Sequence, residues 1–251
     1  MKEDDLKRKL LKGRKKLHFT LIDPTKQSPK EASILAKAAE KAGSDAIMVG
    51  GTTVRTRGSV YRTVEAIRRV ARLPVILFPN SAEAVSENAD YIFFMTLLNS
   101  KDFTYVVEEQ LKGAPLVKKF GLKAISMGYI LINTSKKPTA VERRVNLDRL
   151  GKENTEKIVD YALVVQYLGM DCLYLEAGSG AEEPISNEII SEVKKNVRIP
   201  IIVGGGIRDY QTAKEKLKAG AKVIVTGTII ETDVKKAKRI ISAIKKFRKK
   251  S

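Results

Sequence analysis

The chain has no tryptophan, one cysteine and one histidine among its 251 residues, and each shortage removes a class of chemistry. A single thiol, Cys172, cannot close an intramolecular disulfide or build a cysteine zinc site, and it suits a reducing cytoplasm. Flanked by Asp171 and Leu173 in a strand-like run, Cys172 reads as packing. A single imidazole, His18, leaves no Ser-His-Asp arrangement and no multi-histidine metal site. Long apolar runs are missing too: Tyr91–Leu98 and Tyr129–Ile132 fall far short of the roughly 20 residues that span a bilayer. The opening segment, MKEDDLKRKLLKGRKK, is charged throughout and lacks the apolar core of a secretory signal. A soluble, cytoplasmic protein is expected. Its chemistry must come from carboxylates, hydroxyls, lysines, backbone amides or a hard metal ion.

What is present begins with core-forming residues and positive charge. Hydrophobic residues make up 43% of the chain, enough for a sizeable core. Against 29 Asp and Glu stand 47 Lys and Arg, a net charge of +18 that favours anionic partners. Much of it sits at the ends, in KRKLLKGRKK and KKAKRIISAIKKFRKKS. Val234, Ala237, Ile240, Ile241, Ile244 and Phe247 recur at helical spacing between lysines, which predicts a packing helix with a solvated basic face. A membrane-surface face is the alternative. No motif interleaves the basic residues with stacking aromatics, so nucleic acid is not expected as a partner.

One punctuation recurs along the chain. KAGSDAIMVGGT (Lys41–Thr52), YLGMDCLYLEAG (Tyr167–Gly178) and KAGAKVIVTGT (Lys218–Thr228) share one order: helix end, glycine turn, strand, then glycine. Strands are predicted near Lys16–Ile22, Asp45–Val49, Pro74–Phe78, Asp90–Met95, Lys123–Gly128, Asp171–Glu176, Pro200–Val203 and Lys222–Thr226. Helices are predicted over Ser28–Ala42, Val60–Ala71, Tyr105–Phe120, Thr155–Leu168, Asn187–Asn196 and Tyr210–Ala219. Apolar strands alternating with helices imply a parallel sheet, and about eight such units match a (β/α)₈ TIM-like barrel; an open doubly wound sheet is the alternative, against which the glycine loops described below favour the barrel. The whole chain, 1–251, is read as one barrel domain, with 1–15 and 233–251 as basic terminal helices. Two segments break the repeat. NSAEAVSENA, after the third strand, is too short for a full helix. The segment after the fifth strand, from Asn133 to Lys157, is long and polar, a lid or a passive surface excursion.

In a barrel the strand C-terminal ends form the active-site face. Asp23, Gly50 to Thr52, Asn80, Asn99, Glu176 to Gly180, Gly204 to Gly206, Gly227 and Thr228 gather there. The pair IIVGGGIRDYQTA and VIVTGTII, after strands seven and eight, reads as a phosphate-monoester site where glycine leaves backbone N–H groups bare. Side-chain alternation puts Tyr174 and Glu176 on one side and Leu173 and Leu175 on the other. Glu176 at the mouth suits proton abstraction from a substrate hydroxyl, and equally an ion pair with a lysine. Asp23 and Thr52 end neighbouring strands. One carboxylate and one hydroxyl fit Mg²⁺, although Asp23-Pro24 alone reads equally as a turn.

TLIDPTK, IMVGGTT, YLEAGSGA, IIVGGGIRDYQTA and VIVTGTIIE together resemble the geranylgeranylglyceryl phosphate synthase family, from about His18 to Glu231. These enzymes make the first ether bond of archaeal membrane lipids. The resemblance implies that Tyr174, Leu175, Glu176, Ala177, Gly178, Ser179, Gly180, Gly205, Gly206, Gly227 and Thr228 hold sn-glycerol 1-phosphate. It implies Glu176 as catalytic base, and Asp23 and Thr52 as holders of Mg²⁺ on the diphosphate of geranylgeranyl diphosphate. The family's DPDK stands here as DPTK, with Thr25 in place of the second acid. The family also implies a barrel with one reduced crossover helix, placed at Asn80–Ala89, opening an apolar groove for the prenyl tail. A homo-oligomer and peripheral membrane contact are further expectations. The alternatives are transfer of a longer, heptaprenyl chain, a phosphate-binding isomerase barrel, and a basic polyanion-binding barrel without turnover.

Overall fold

Short apolar segments that bury both faces need a layer on each side, and closure into a barrel supplies both. The computed structural model describes residues 5–54, 56–135, 139 and 142–247; the far ends of both basic termini and parts of the long polar loop lie outside the described residues. Eight strands form: β1 (Leu17–Ile22), β2 (Ala46–Val49), β3 (Val75–Leu77), β4 (Tyr91–Leu97), β5 (Lys123–Leu131), β6 (Cys172–Glu176), β7 (Ile201–Gly204) and β8 (Val223–Thr226). They pair in sequence order, parallel throughout, and close with β8 against β1. Among the described residues the helices are α1 (Asp5–Leu11), α2 (Pro29–Ala42), α3 (Arg57–Arg68), α4 (Glu109–Lys119), α5 (Thr155–Tyr167), α6 (Asn187–Asn196), α7 (Tyr210–Ala219), α8 (Thr228–Thr232) and α9 (Val234–Phe247).

Alternation divides the core in two. Phe19, Met48, Ile76, Phe93, Tyr174 and Ile202 fill the barrel, while Ile22, Ile47, Leu77, Leu175 and Val203 pack outward under the helices. Leu6 and Leu10 of α1 join the inner cluster. Helix α9 buries Ala237, Ile240, Ile241 and Ile244 and exposes Lys235, Lys236 and Lys238, so it is a packing helix with a solvated basic face. Each of those isoleucines contributes roughly 1.5–3 kcal/mol on burial. Cys172 is buried, as its flanking residues predict.

Local chemistry sets the helix ends. Ser28 caps α2 with Glu31 returning the bond, Pro29 enters at the first turn, and Gly43 leaves at φ 102°. Strands β4 and β5 run further than the sequence suggests, to Leu97 and Leu131 rather than Met95 and Gly128. Gly128 is no turn: a Cβ there would lie 2.2 Å from Val165 Cγ2, so the glycine lets α5 press against the strand. Asn99, expected among the functional strand ends, is a fully buried clamp instead. It accepts from Leu131 N at 3.0 Å and donates to the carbonyls of Leu131 and Asp148 at 2.9 Å each. Two departures shape the β3–β4 side. The crossover after β3 is only a 3₁₀ turn, Ala82–Ala84, and α4 opens with a π-helical turn, Thr104–Glu108.

Candidate active site

Strand β6 carries Glu176 to the mouth, where it is buried with only 7% of its surface exposed. Its Oε1 accepts from Gly178 N at 2.7 Å. Burial pushes the carboxyl above its usual range, and the nearby Tyr174 hydroxyl and the Gly178 N–H offset only part of that rise. Tyr174 lies beneath it. Around the point where a Gly204 Cβ would stand, the tyrosine hydroxyl lies at 2.2 Å and Glu176 Oε2 at 2.9 Å, so only glycine fits. The hydroxyl is fully buried beside the Glu176 carboxylate.

The glycine loops close around this carboxylate. Gly205 and Gly206 have φ of +82° and +68°, and a Cβ on Gly205 would stand 2.6 Å from Glu176 Oε1. Helix α7 starts with Asp209 accepting from Thr212 N, and Gly205, Gly206, Gly227 and Thr228 line the mouth beside it. Across the mouth, Lys26 Nζ reaches Glu231 Oε2 at 3.3 Å and Ser179 Oγ at 3.4 Å. Tyr174, Glu176, Gly178, Ser179, Gly180, Gly205, Gly206, Gly227, Thr228, Asp23 and Thr52 line one cavity of about 190 Å³. Leu175 and Ala177 do not line it. Strand alternation turns the Leu175 side chain outward under the helices, and the Ala177 methyl joins the same outer layer.

On the opposite rim, the Asp23 carboxylate lies over Gly51, filling the place a Cβ would take at 2.3 Å. Its Oδ1 accepts from Thr25 N at 2.9 Å and Thr25 Oγ1 at 2.8 Å. Thr25 therefore aims Asp23 and adds no charge beside it. Among the described residues no three His, Cys, Asp or Glu side chains gather as a metal cluster. A hard cation at Asp23 and Thr52 would complete its shell with water and phosphate oxygens, an arrangement that Mg²⁺ takes readily.

A second cavity, about 270 Å³, runs from the mouth past the shortened β3 crossover. Phe78, Val85, Phe93, Met95, Leu97 and Val117 give it apolar walls, while Thr52, Asn80 and Arg144 stand at its polar end. Gly51, Thr52, Phe78 and Tyr129 line both cavities. At that junction the Phe78, Tyr129 and Tyr174 rings pack with centroids 5.4–5.8 Å apart. Tyr129 and Arg144 are absent from the sequence-derived site. For Tyr129 a signal existed, since Met127, Tyr129 and Leu131 alternate inward along β5; for Arg144, in an aperiodic polar loop, there was none.

The sequence pattern of the PcrB family matches residues 9–247. Geranylgeranylglyceryl phosphate synthase of Methanopyrus kandleri is 46% identical over 238 residues, covering 94% of this chain and 97% of that protein. The protein of the same name from Methanococcoides burtonii is 47% identical over 235 residues, 92% of this chain and 94% of that one. Among solved structures, (S)-3-O-geranylgeranylglyceryl phosphate synthase of Thermoplasma acidophilum, in complex with substrate sn-glycerol-1-phosphate, superposes with a TM-score of 0.89 at 36% identity. That superposition covers 98% of this chain and 97% of the other.

Proposed function

The chain belongs to the PcrB family, and from that premise we propose the reaction of its mouth. A geranylgeranyl group passes from its diphosphate to the C3 hydroxyl of sn-glycerol 1-phosphate, forming an ether and releasing diphosphate. The observation that carries this reading is the junction of a carboxylate-bearing, glycine-walled cavity with an apolar groove through four shared residues.

The glycerol phosphate anchors its phosphate at the loops after β7 and β8 and presents its C3 hydroxyl to Glu176 and Tyr174. The prenyl tail lies in the groove, where burial is worth about 0.8 kcal/mol per CH₂. The allylic C1–O bond breaks with its electron pair on the diphosphate, the C3 oxygen bonds to C1, and Glu176 takes the hydroxyl proton. Phe78, Tyr129 and Tyr174 give the positive charge at C1 an aromatic, water-poor surrounding. Asp23 and Thr52 would hold Mg²⁺, which supplies charge neutralisation to the diphosphate. Anchoring supplies orientation, because water competes for the same carbon.

An isomerase reading needs an acid on the strand opposite Asp23, and β5 ends at Leu131 with the Asn99 clamp instead. No helix among the described residues is long and apolar enough to cross a membrane. We place the enzyme in the cytoplasm as a homo-oligomer, with peripheral contact to the membrane that receives its product. The net charge of +18 supports that contact, and exposed Val164 and Tyr167 on α5, with Leu168 just after it, support self-association. The test is a product assay with sn-glycerol 1-phosphate, Mg²⁺ and prenyl diphosphates of about 15, 20 and 35 carbons, the longer ones having more CH₂ to bury. A geranylgeranyl ether, lost with EDTA and not formed from the sn-3 enantiomer, is expected. Absence of ether from every donor, with glycerol phosphate still bound, would overturn the transferase and leave a phosphate-binding barrel.

A further inference from the structure

The cations lining the two cavities are committed to different degrees. Lys26 is paired with Glu231, and Arg208 directs both arms to the carbonyls of Ala181 and Glu182. Among the described residues Arg144 makes one hydrogen bond, from Nη1 to the Thr52 carbonyl at 2.9 Å, which leaves four of a guanidinium's five N–H groups without an acceptor there. Asn80 Nδ2 donates to the same carbonyl at 3.1 Å. Arg144 therefore stands at the polar end of the groove, held against Thr52 in the loop after β2.

Its backbone is fixed on both sides. Before it, Glu142 accepts from Thr139 N, Thr139 Oγ1 and Asn133 Nδ2 at 2.7–2.9 Å. After it, Val145 is buried in the barrel interior, Asn146 bonds to Lys101 and Asp102, and Leu147 bridges to Ser100. The loop thus delivers a guanidinium fork to the end of the groove where Thr52 and Asn80 stand, away from the apolar walls of Val85, Phe93, Leu97 and Val117. An amphiphile whose head carries several phosphate oxygens matches that arrangement, since a planar fork binds such oxygens two at a time.

We propose that Arg144 is the clamp for the donor's diphosphate, gripping it in the ground state and more strongly as the C1–O electron pair moves onto it. The inference rests on the prenyl-transfer reading. A guanidinium stays charged at working pH, so it stabilises the leaving group without giving up a proton. The phosphate monoester of glycerol 1-phosphate belongs to the other cavity, which Arg144 does not line.

Calorimetric titration of inorganic pyrophosphate, with Mg²⁺, into the intact protein and into Arg144→Met and Arg144→Lys tests this. A parallel arm titrates sn-glycerol 1-phosphate. Pyrophosphate should bind about thirtyfold more weakly to Arg144→Met and less weakly to Arg144→Lys, with glycerol phosphate affinity and melting temperature unchanged. In turnover, kcat/KM for geranylgeranyl diphosphate should fall while KM for glycerol 1-phosphate holds. Equal pyrophosphate affinity in wild type and Arg144→Met overturns the clamp. So does no pyrophosphate binding by the wild type, or an equal loss in both arms, which would make Arg144 a support for the loop. If Arg144→Met fails to fold, the Arg144→Lys titration decides. Wild type that binds pyrophosphate but forms no ether sinks the transferase reading, and the binding arm still judges Arg144.

Discussion

The rim over β6, β7 and β8 and the rim over β2, β3 and β4 face each other across one mouth and are made differently. The first is backbone: Gly178, Gly204, Gly205 and Gly206 each stand where a Cβ would strike a neighbour within 3 Å, and Glu176 is wedged among them. The second is built by omission. A helix shrinks to one 3₁₀ turn, a π turn widens the start of α4, and apolar side chains line the gap. A small polar substrate of fixed shape needs a cradle of rigid amides. A long tail needs room and greasy walls, and tolerates variation in both.

The difference can be broken from the polar side first. Glu176→Gln should lower turnover about a thousandfold, in the range of a lost general base, while calorimetry still detects glycerol phosphate. The same residue sets a pH effect. Burial raises its pKa, so the ionised base is lost as pH falls, and the acid limb of kcat/KM should lie above the usual carboxylate range. Glu176→Gln should abolish that limb in whatever activity remains. Gly205→Ala should raise KM for glycerol 1-phosphate about a hundredfold, since its Cβ meets Glu176 Oε1 at 2.6 Å and its φ of +82° disfavours alanine. Pyrophosphate titration of that variant should be unchanged, which keeps the two rims distinct.

A third change sharpens the apolar side. Gly113 lines the groove on α4, and a Cβ there meets nothing closer than Val85 Cγ2 at 4.0 Å, so larger side chains can enter the channel. Gly113→Phe should shift preference toward a donor shorter by one isoprene unit, about tenfold in relative kcat/KM, without touching glycerol phosphate affinity. The smallest effect is on stability. A carboxyl whose folded pKa is raised contributes stability below its unfolded pKa and loses it as pH rises through the folded value. At neutral pH Glu176→Gln should therefore melt higher, by about 3 °C for each kcal/mol recovered. An unchanged or lower melting temperature would say that Gly178 and Tyr174 already compensate the buried charge.

Sequence reading reached the polar rim and the barrel because their constraints are written as residue types. Glycines at strand ends, a carboxylate ending an apolar run and the repeated helix–glycine–strand order all survive projection onto a string of letters. Gly128 misleads for the same reason. A glycine that admits Val165 looks identical, in the sequence, to one that ends a strand. Leu175 and Ala177 entered the site through a motif read as a block, against the alternation that sends every second side chain to the other layer. Arg144 was illegible because its role depends on a tether to Thr52, 92 positions away, through a loop with no periodicity. The groove could be sensed only as a crossover with too few residues.

That shortened crossover bears on how the enzyme finishes a cycle. On the proposed reading the ether product occupies both cavities at once, with its phosphate under the β7 and β8 loops and its tail beside Ala82–Ala84. Retreat through the mouth would drag twenty carbons' worth of hydrocarbon past a polar rim into water. Where other crossovers lay a full helix along the barrel, this one leaves the long side of the slot thinly covered, and the tail can be drawn out sideways into a lipid phase. A product that left across the barrel wall instead of along its axis would make turnover respond to added lipid vesicles even though the chemistry does not require them.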